Sequence, residues 1–380
     1  MMRAGFAINL GRMSEERPSS HLRRGWTTGA CATAAARAAY EALITGDFPD
    51  PVTIALPGGT RTAFALALQG LDRDAARAAV IKDAGDDPDV THGALILATV
   101  RRGKAGSGVE FRAGPGVGTV TRPGLPIPPG EPAINPVPRA MIRAAIAEAA
   151  RLFASPSDVI VEIAVPGGEE LAARTLNGRL GIVGGLSILG TTGVVIPYSC
   201  AAWIHSIYSG IDVARASGIE HIAGATGAMS EAAIRALHRL PEIALIDMGD
   251  FVGGMLKYLR KHPVARITVA GGFAKMTKLG QGLLDLHSRR GSVDLAWLSQ
   301  RAVEAGATPS LGARLRSANT AMEALDMCRD NRVDIGQAVA RAAWATAAEV
   351  LGATPTALEI AVFDREGALI ARTPFRPVHS

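Results

Sequence analysis

The chain has 380 residues, of which 48% are hydrophobic and 20% charged. That is too apolar for a disordered protein, and at about 150 residues per domain it predicts two domains. Three cysteines, Cys31, Cys200 and Cys328, stand far apart with no paired spacing, which argues against a disulfide framework and a cysteine zinc site and points to the cytoplasm. The net charge of +5 and a pI near 9.4 come from scattered arginines, so an acidic small molecule suits them as well as nucleic acid does; few aromatics and no basic stripe count against nucleic acid.

Residues 1–21 read as a flexible leader without the cleavage site of a secretory signal. Thr27-Thr28-Gly29 precedes an alanine-rich run, residues 30–43, so a threonine is expected to cap a helix whose first amides face outward. Strands are predicted over 52–56, 61–68, 78–82 and 94–100, with Pro57-Gly58-Gly59-Thr60 as a hairpin turn. A loop dense in glycine and proline, residues 114–138, feeds a helix at 139–153, and a strand follows at 158–165. The most apolar stretch, residues 180–197, is broken by five glycines and cannot be a membrane span of about 20 apolar residues. Beyond about 185 the pattern alternates: strands at 219–223, 243–246 and 267–270 precede helices at 230–239, 252–261 and 275–286, a βαβ pattern that places ligands at the carboxyl ends of parallel strands. Helices at 294–304, 318–329 and 335–351 complete it, and a strand at 357–363 fits neither sheet from sequence alone. The expected fold is therefore an α+β domain over 22–185 and an α/β, Rossmann-like domain over 186–375.

Five groups of residues carry chemistry. Gly114, Gly116 and Gly118 have the spacing of nucleotide loops, yet Arg112 stands where an acid is usual and prolines follow, so a structural turn and a nonstandard ligand loop both remain open. Residues 82–92 bring four aspartates and His92 to a strand end; the spacing is not that of a calcium loop. If two of these acids face each other, repulsion raises a carboxyl pKa, which makes Asp83, Asp86 and Asp87 candidates for acid–base work or for holding a cation. The run 181–193 is either a glycine-rich core crossing or a ligand cradle, with Thr191 and Thr192 beside it. Asp247 and Asp250 follow a strand and open a helix, a good place for a polar cofactor contact. Lys275 and Lys278 on adjacent turns, with His287 near the helix end, form either a cationic edge for carboxylates or a plain exposed face. His205, His221, His238 and His262 show no partnered spacing.

Several longer strings resemble one family. These are Arg24-Gly25-Trp26-Thr27-Thr28-Gly29-Ala30-Cys31, Asp83-Ala84-Gly85-Asp86-Asp87-Pro88-Asp89-Val90-Thr91, the run 114–120, Gly130 through Arg139 with Asn135 inside it, and Thr175-Leu176-Asn177-Gly178-Arg179-Leu180-Gly181-Ile182 through Gly193. They look like the cobalt-precorrin-5B (C1)-methyltransferases of cobalamin biosynthesis over nearly the whole chain, with Trp26 in place of the tyrosine of the first motif. The resemblance implies methyl transfer from S-adenosylmethionine to C-1 of a cobalt-corrinoid, and a fold unlike that of the common methyltransferases. On that basis Asp83, Asp86 and Asp87 are expected to be catalytic. Thr27, Thr28, Gly29, Gly114, Gly116, Gly118, Asp247 and Asp250 are expected to hold the methyl donor, and Asn135, Arg139, Arg179, Thr191, Thr192, Lys275, Lys278 and His287 the corrinoid. Cobalt would arrive inside the substrate, so no protein metal site is expected; nor is a membrane or nucleic-acid partner, and a homo-oligomer is compatible. A different enzyme using the glycine loops for a nucleotide or phosphate is the alternative reading.

Overall fold

The computed structural model describes residues 22–378; the expected leader, 1–21, lies outside them. Two compact units interleave along the chain. The first takes residues up to Val117, Ile134–Leu171 and Ser187–Ser199, and the second takes Gly118–Ala133, Ala172–Leu186 and everything from Cys200 on. A single boundary near 185 therefore does not describe the division, because two segments before it belong with the second unit and one after it with the first.

In the first unit, α1 (Thr28–Thr45) is buried along almost its whole length. Its run of alanines lets sheet and helix approach closely on every side, and the helix stops where Gly46 turns left-handed at φ 91°. A sheet of five strands, β1 (Leu68–Leu71), β2 (Ala75–Ile81), β3 (Leu95–Arg102), β4 (Val109–Ala113) and β5 (Val159–Ala164), has the spatial order β1-β2-β3-β5-β4. All its pairings are antiparallel except β5 with β4. Val52–Ala55 and Arg61–Phe64 form the expected hairpin, and α2 (Pro136–Leu152) starts with Pro at its first position. Strands β1 and β4 are additions to the sequence reading. Their alternating exposure carries too few apolar residues to signal a strand.

The second unit is built on β6 (His221–Ala225), β7 (Leu245–Asp247), β8 (Arg266–Gly272), β9 (Ala357–Phe363) and β10 (Leu369–Arg372), in the order β7-β6-β8-β9-β10. The first four are parallel and β10 is antiparallel. Residues 357–363 thus find their place as the strand beside β8, fully sandwiched, which explains why they read as a continuous apolar run. On one face α4 (Ala228–His238) covers the sheet with Ile234 against Ala223, Ala270 and Phe363. The other face carries α3 (Cys200–Ala216), α5 (Val252–Lys261), α6 (Phe273–Gly280) and α10 (Ile335–Leu351) around a large core of Met255, Ile267, Phe273 and Val339. Between α6 and α10 come α7 (Leu295–Glu304), α8 (Pro309–Arg316) and α9 (Ala321–Asp330). Helix α6 ends at Gly280, short of the expected 286.

The glycines at 114–118 are filled by protein. A Cβ on Gly114 would stand 2.9 Å from that of Ala164, one on Gly116 only 1.9 Å from the Val165 carbonyl oxygen, and one on Gly118 2.5 Å from Ile182. Gly116 also has φ +77°. Of the two readings of this loop, close backbone packing accounts for all three glycines. Gly116→Ala is expected to destabilise the protein more than Gly59→Ala. Gly59 has φ +81° but open space around it, so its alanine meets only the left-handed penalty of about 1–2 kcal/mol. Urea melts of the two variants make the comparison, and equal losses would sink the packing account.

Candidate active site

In the first unit the acidic loop is knitted into the structure. The guanidinium of Arg23 forks onto Asp83, and the Gly85 amide donates to Asp83 Oδ1 at 2.9 Å. Asp86 accepts from the Arg23 amide at 2.6 Å, Asp87 from the Tyr198 amide at 2.8 Å, and Asp89 from the buried Lys82 ammonium at 2.6 Å. For Asp83 the expected pKa rise is reversed. The Arg23 hydrogen bond, then that of Gly85, pull Asp83 down to about 2. Burial pushes Asp89 up, but Lys82 and Thr91 outweigh it and the net shift is downward. Each of these carboxylates faces a donor, so repulsion between acids has nothing to act on.

The first turn of α1 also faces inward. Thr27 caps it by accepting from the Ala30 amide at 3.2 Å; Thr28 exchanges hydrogen bonds with Leu189; and the Gly29 amide donates to the Leu189 carbonyl at 2.9 Å. A Cβ on Gly190 would strike Thr27 at 2.4 Å, and one on Gly193 would strike Leu56 at 2.6 Å. The glycines around Thr191 and Thr192 therefore make a core crossing, with those two threonines exposed at its bend. Asn135 donates its amide to Ile188, and Arg139 turns back to the Ile134 carbonyl at 2.8 Å with its guanidinium over Phe111.

In the second unit the chain leaves central strand β6 toward β7 and returns to β8 on the opposite side. The loops after β6 and β8 thus part company at the carboxyl edge, the crevice where open α/β sheets bind ligands. A cavity of about 520 Å³ sits there, lined by Thr226 and Gly227 after β6, Asp247, Gly249, Asp250 and Phe251 after β7, Lys275 on α6, and Trp203, Arg179, Glu231 and His287. Gly227 has nothing within 4 Å of where a Cβ would stand, so this glycine, unlike those at 114–118, opens onto free space.

The charges in this cavity are ordered. The Lys275 ammonium donates to the Thr226 carbonyl at 2.7 Å and lies 3.1 Å from Asp250 Oδ1. That oxygen is buried and accepts no hydrogen bond. Arg179 is forked onto Glu231 at 2.8 and 2.5 Å and reaches Glu242 at 3.3 Å, so its charge is already spoken for. Burial, then the neighbouring Glu231 charge, raise the Asp247 pKa above the ordinary carboxylate value. Lys278 corrects the cationic-edge reading: it is 8% exposed, and its ammonium donates to the Leu286 carbonyl at 3.0 Å, so it fastens the loop after α6 and offers no surface charge. His287 accepts the Arg289 amide on Nδ1 at 3.2 Å. Among the described residues no group of three or more His, Cys, Asp or Glu is placed to hold a metal ion, and no helix is long and apolar enough to cross a membrane.

The family model described as CbiD matches residues 15–197, and the model described as CbiD, C-terminal domain, matches 285–374. The chain belongs to the CbiD family. A relative from a Bradyrhizobium species, named cobalt-precorrin-5B C(1)-methyltransferase, is 67% identical over 92% of this chain and 93% of its own. Proteins of the same name from Agrobacterium fabrum and Methylorubrum extorquens are each 61% identical, over 94% of both chains in the first case and over 92% of this chain and 97% of the relative in the second. Among solved structures, a crystal structure of the cobalamin biosynthesis protein cbiD from Archaeoglobus fulgidus is 30% identical over 71% of this chain and 83% of that one, with a TM-score of 0.38.

Sequence reading of this CbiD chain missed the lining residues Trp203, Thr226, Gly227, Ala228 and Glu231. Only Gly227 carried a readable signal, as a glycine between a strand and a helix. It also missed a histidine cluster at the opposite edge of the sheet. Glu359, 2% exposed, accepts from Thr268 at 2.9 Å and lies 2.6 Å from His238 Nε2, while His221 Nε2 lies 2.8 Å from the Thr268 hydroxyl. Burial, then the charge of His238, push His221 down to about 4 from an ordinary 6.5. The unfolded chain therefore binds that proton more readily between those values, so His221 contributes stability that is complete above about pH 6.5 and is lost as pH falls toward 4. His221→Gln is expected to flatten the pH dependence of the urea midpoint across that window; an unchanged slope would show that His221 does not titrate as its surroundings dictate.

Proposed function

We propose that this chain, like its named relatives, transfers a methyl group to C-1 of cobalt-precorrin-5B to give cobalt-precorrin-6A, in the cytoplasm, and that the switch-point cavity of the second unit holds the methyl donor, S-adenosylmethionine. The observation that carries the placement is the lining charge. Glu231, Asp247 and Asp250 converge there against Lys275 and an Arg179 already forked onto Glu231. Such a lining suits a positively charged sulfonium and repels a phosphate, which weighs against the nucleotide-enzyme alternative. The fit extends to the open space beside Gly227.

When bound, S-adenosylmethionine supplies an already electrophilic methyl whose bonding electron pair leaves with sulfur. The chain's own task is then to bind, orient and exclude water. Alignment of two reactants is worth about 7–11 kcal/mol, against about 3–5.5 kcal/mol for a positioned base contributing 10²- to 10⁴-fold. Asp83, held near 2 by Arg23, is too weak a base to add even that. We therefore assign Asp83, with Asp86 and Asp87, to holding Arg23 and Tyr198 in place through their hydrogen bonds. Lys275 holds the loops after β6 and β7 together, and the aromatic pair Trp203 and Phe251, with ring centres 6.4 Å apart, lines one end.

Anaerobic incubation with cobalt-precorrin-5B and methyl-labelled S-adenosylmethionine, with the label located by NMR, tests the reaction; label anywhere but C-1 rejects it. Gly227→Ala is expected to fold with an unchanged melting temperature and to bind S-adenosylhomocysteine at least several-fold more weakly by calorimetry, because its new methyl projects into free space. Unchanged affinity would move the donor elsewhere.

A further inference from the structure

We infer that the cavity has a fixed polarity: an adenosine end formed by Trp203, Phe251 and the Asp247 carboxylate, and an amino-acid end formed by the Lys275–Asp250 pair at the start of α4. This rests on the donor being bound in that cavity, and it names the residues that select an adenosyl sulfonium amino acid over other cations.

Trp203 is a large aromatic left 47% exposed at the cavity wall, which needs a reason. Its orientation is fixed. The indole N–H donates to the Asp247 carbonyl at 3.1 Å, and the ring lies so close to Gly249 that a Cβ there would stand 3.3 Å from it. A ring locked edge-on by a hydrogen bond, tilted 50° to Phe251, is a preorganised platform for a flat π system, and stacking tolerates any purine face. Beside it, Asp247 closes β7 about 20 residues beyond Gly227, the interval and strand end at which dinucleotide folds place the acid that takes a ribose hydroxyl. The Gly249 amide takes one lone pair of the Asp247 carboxylate, and a ribose diol would be held by those that remain.

The other end has the opposite character. An α-amino acid carries a carboxylate and an ammonium on one carbon, and it requires a cation and an anion side by side. Lys275 and Asp250 stand 3.1 Å apart as an ion pair, the side-by-side cation and anion that such a group requires. The same corner opens at Gly227, the residue before α4, where unsatisfied amides favour a carboxylate. A nucleoside phosphate would share Lys275 and the helix amides but leave Asp250 facing a like charge, whereas the zwitterion brings an ammonium to Asp250 as well.

The polarity is tested with part-ligands. Calorimetry of the intact protein against S-adenosylhomocysteine, adenosine and methionine is expected to show Trp203→Ala weakening the first two by roughly tenfold and leaving methionine unchanged, with Trp203→Phe restoring most of the loss. Lys275→Met is expected to weaken S-adenosylhomocysteine and methionine and leave adenosine unchanged. Adenosine binding that falls in Lys275→Met, or stays intact in Trp203→Ala, overturns the polarity. Circular dichroism melts confirm that each variant is folded, and Trp203→Phe keeps the test valid if the alanine variant is not. Failure of the unmodified protein to bind S-adenosylhomocysteine is a different result, since it rejects the donor's place in the cavity, whereas normal binding with the wrong variant pattern rejects the polarity alone.

Discussion

The ammonium of Lys275 reaches from α6 to the Thr226 carbonyl at 2.7 Å and to Asp250 at 3.1 Å, so the segments that leave β6, β7 and β8 meet at one charge. Without it the Thr226 carbonyl would lose this donor and Asp250 its counter-charge, leaving the loops at the carboxyl edge joined only by backbone hydrogen bonds such as Gly249 to Ala225 and Leu286 to Asp250. The ion pair sits at 36% and 23% side-chain exposure, partly withdrawn from water, where such contacts are worth more than at an open surface. Lys278, one turn on, performs the analogous task for the following loop by donating to Leu286. Two lysines that read alike in sequence are thus divided between shaping the cavity and closing the loop behind it.

The same need to anchor loops accounts for the acids in the first unit's loop. Residues 82–92 must turn sharply, and Gly85, with φ +69°, brings its backbone against Arg23 and Arg24. Asp83 and Asp86 accept from Arg23 on one side, Asp87 from Tyr198 on the other, and Asp89 offsets the desolvated Lys82, which is 1% exposed. A buried ammonium without Asp89 would cost several kcal/mol. For Asp83 and Asp89 these donors hold the carboxyl pKa below its ordinary value.

How much of this was legible follows the physics of each element. The alanine-rich α1 and the strands β6 and β8 were readable because burial imposes an apolar composition that a local window can see. Strands β1 and β4 were not, since edge strands with alternating exposure hold too few apolar residues, and α3 opens with a stretch whose exposed Trp203 and His205 break the apolar stripe. Asp247, Asp250 and Lys275 were visible because an acid at a strand end and a lysine in the next helix are local signals. Their assembly into one cavity was not, because it depends on β8 returning beside β6 and not beyond β7. The glycines mark the limit most sharply: Gly116 and Gly227 look alike as letters, yet one is pressed against Val165 and the other faces open space, a difference set by strands far away in sequence.

That contrast also bears on why a family can be read from its motifs while its chemistry cannot. The long strings at 24–31, 83–91 and 114–120 are specific because their residues are locked by packing: a Cβ on Gly25 would stand 2.0 Å from Ala84, Gly29 is pressed on Pro138, and Gly116 on Val165. Substitution there fails sterically whatever the ligand, so these strings report a backbone arrangement. The cavity at the switch point is made instead from isolated residues on separate elements, each tolerable locally and meaningful only together. Recognition by motif and recognition by site thus draw on different constraints, and in this chain the residues that most plainly announce the family are the ones that hold its backbone in shape.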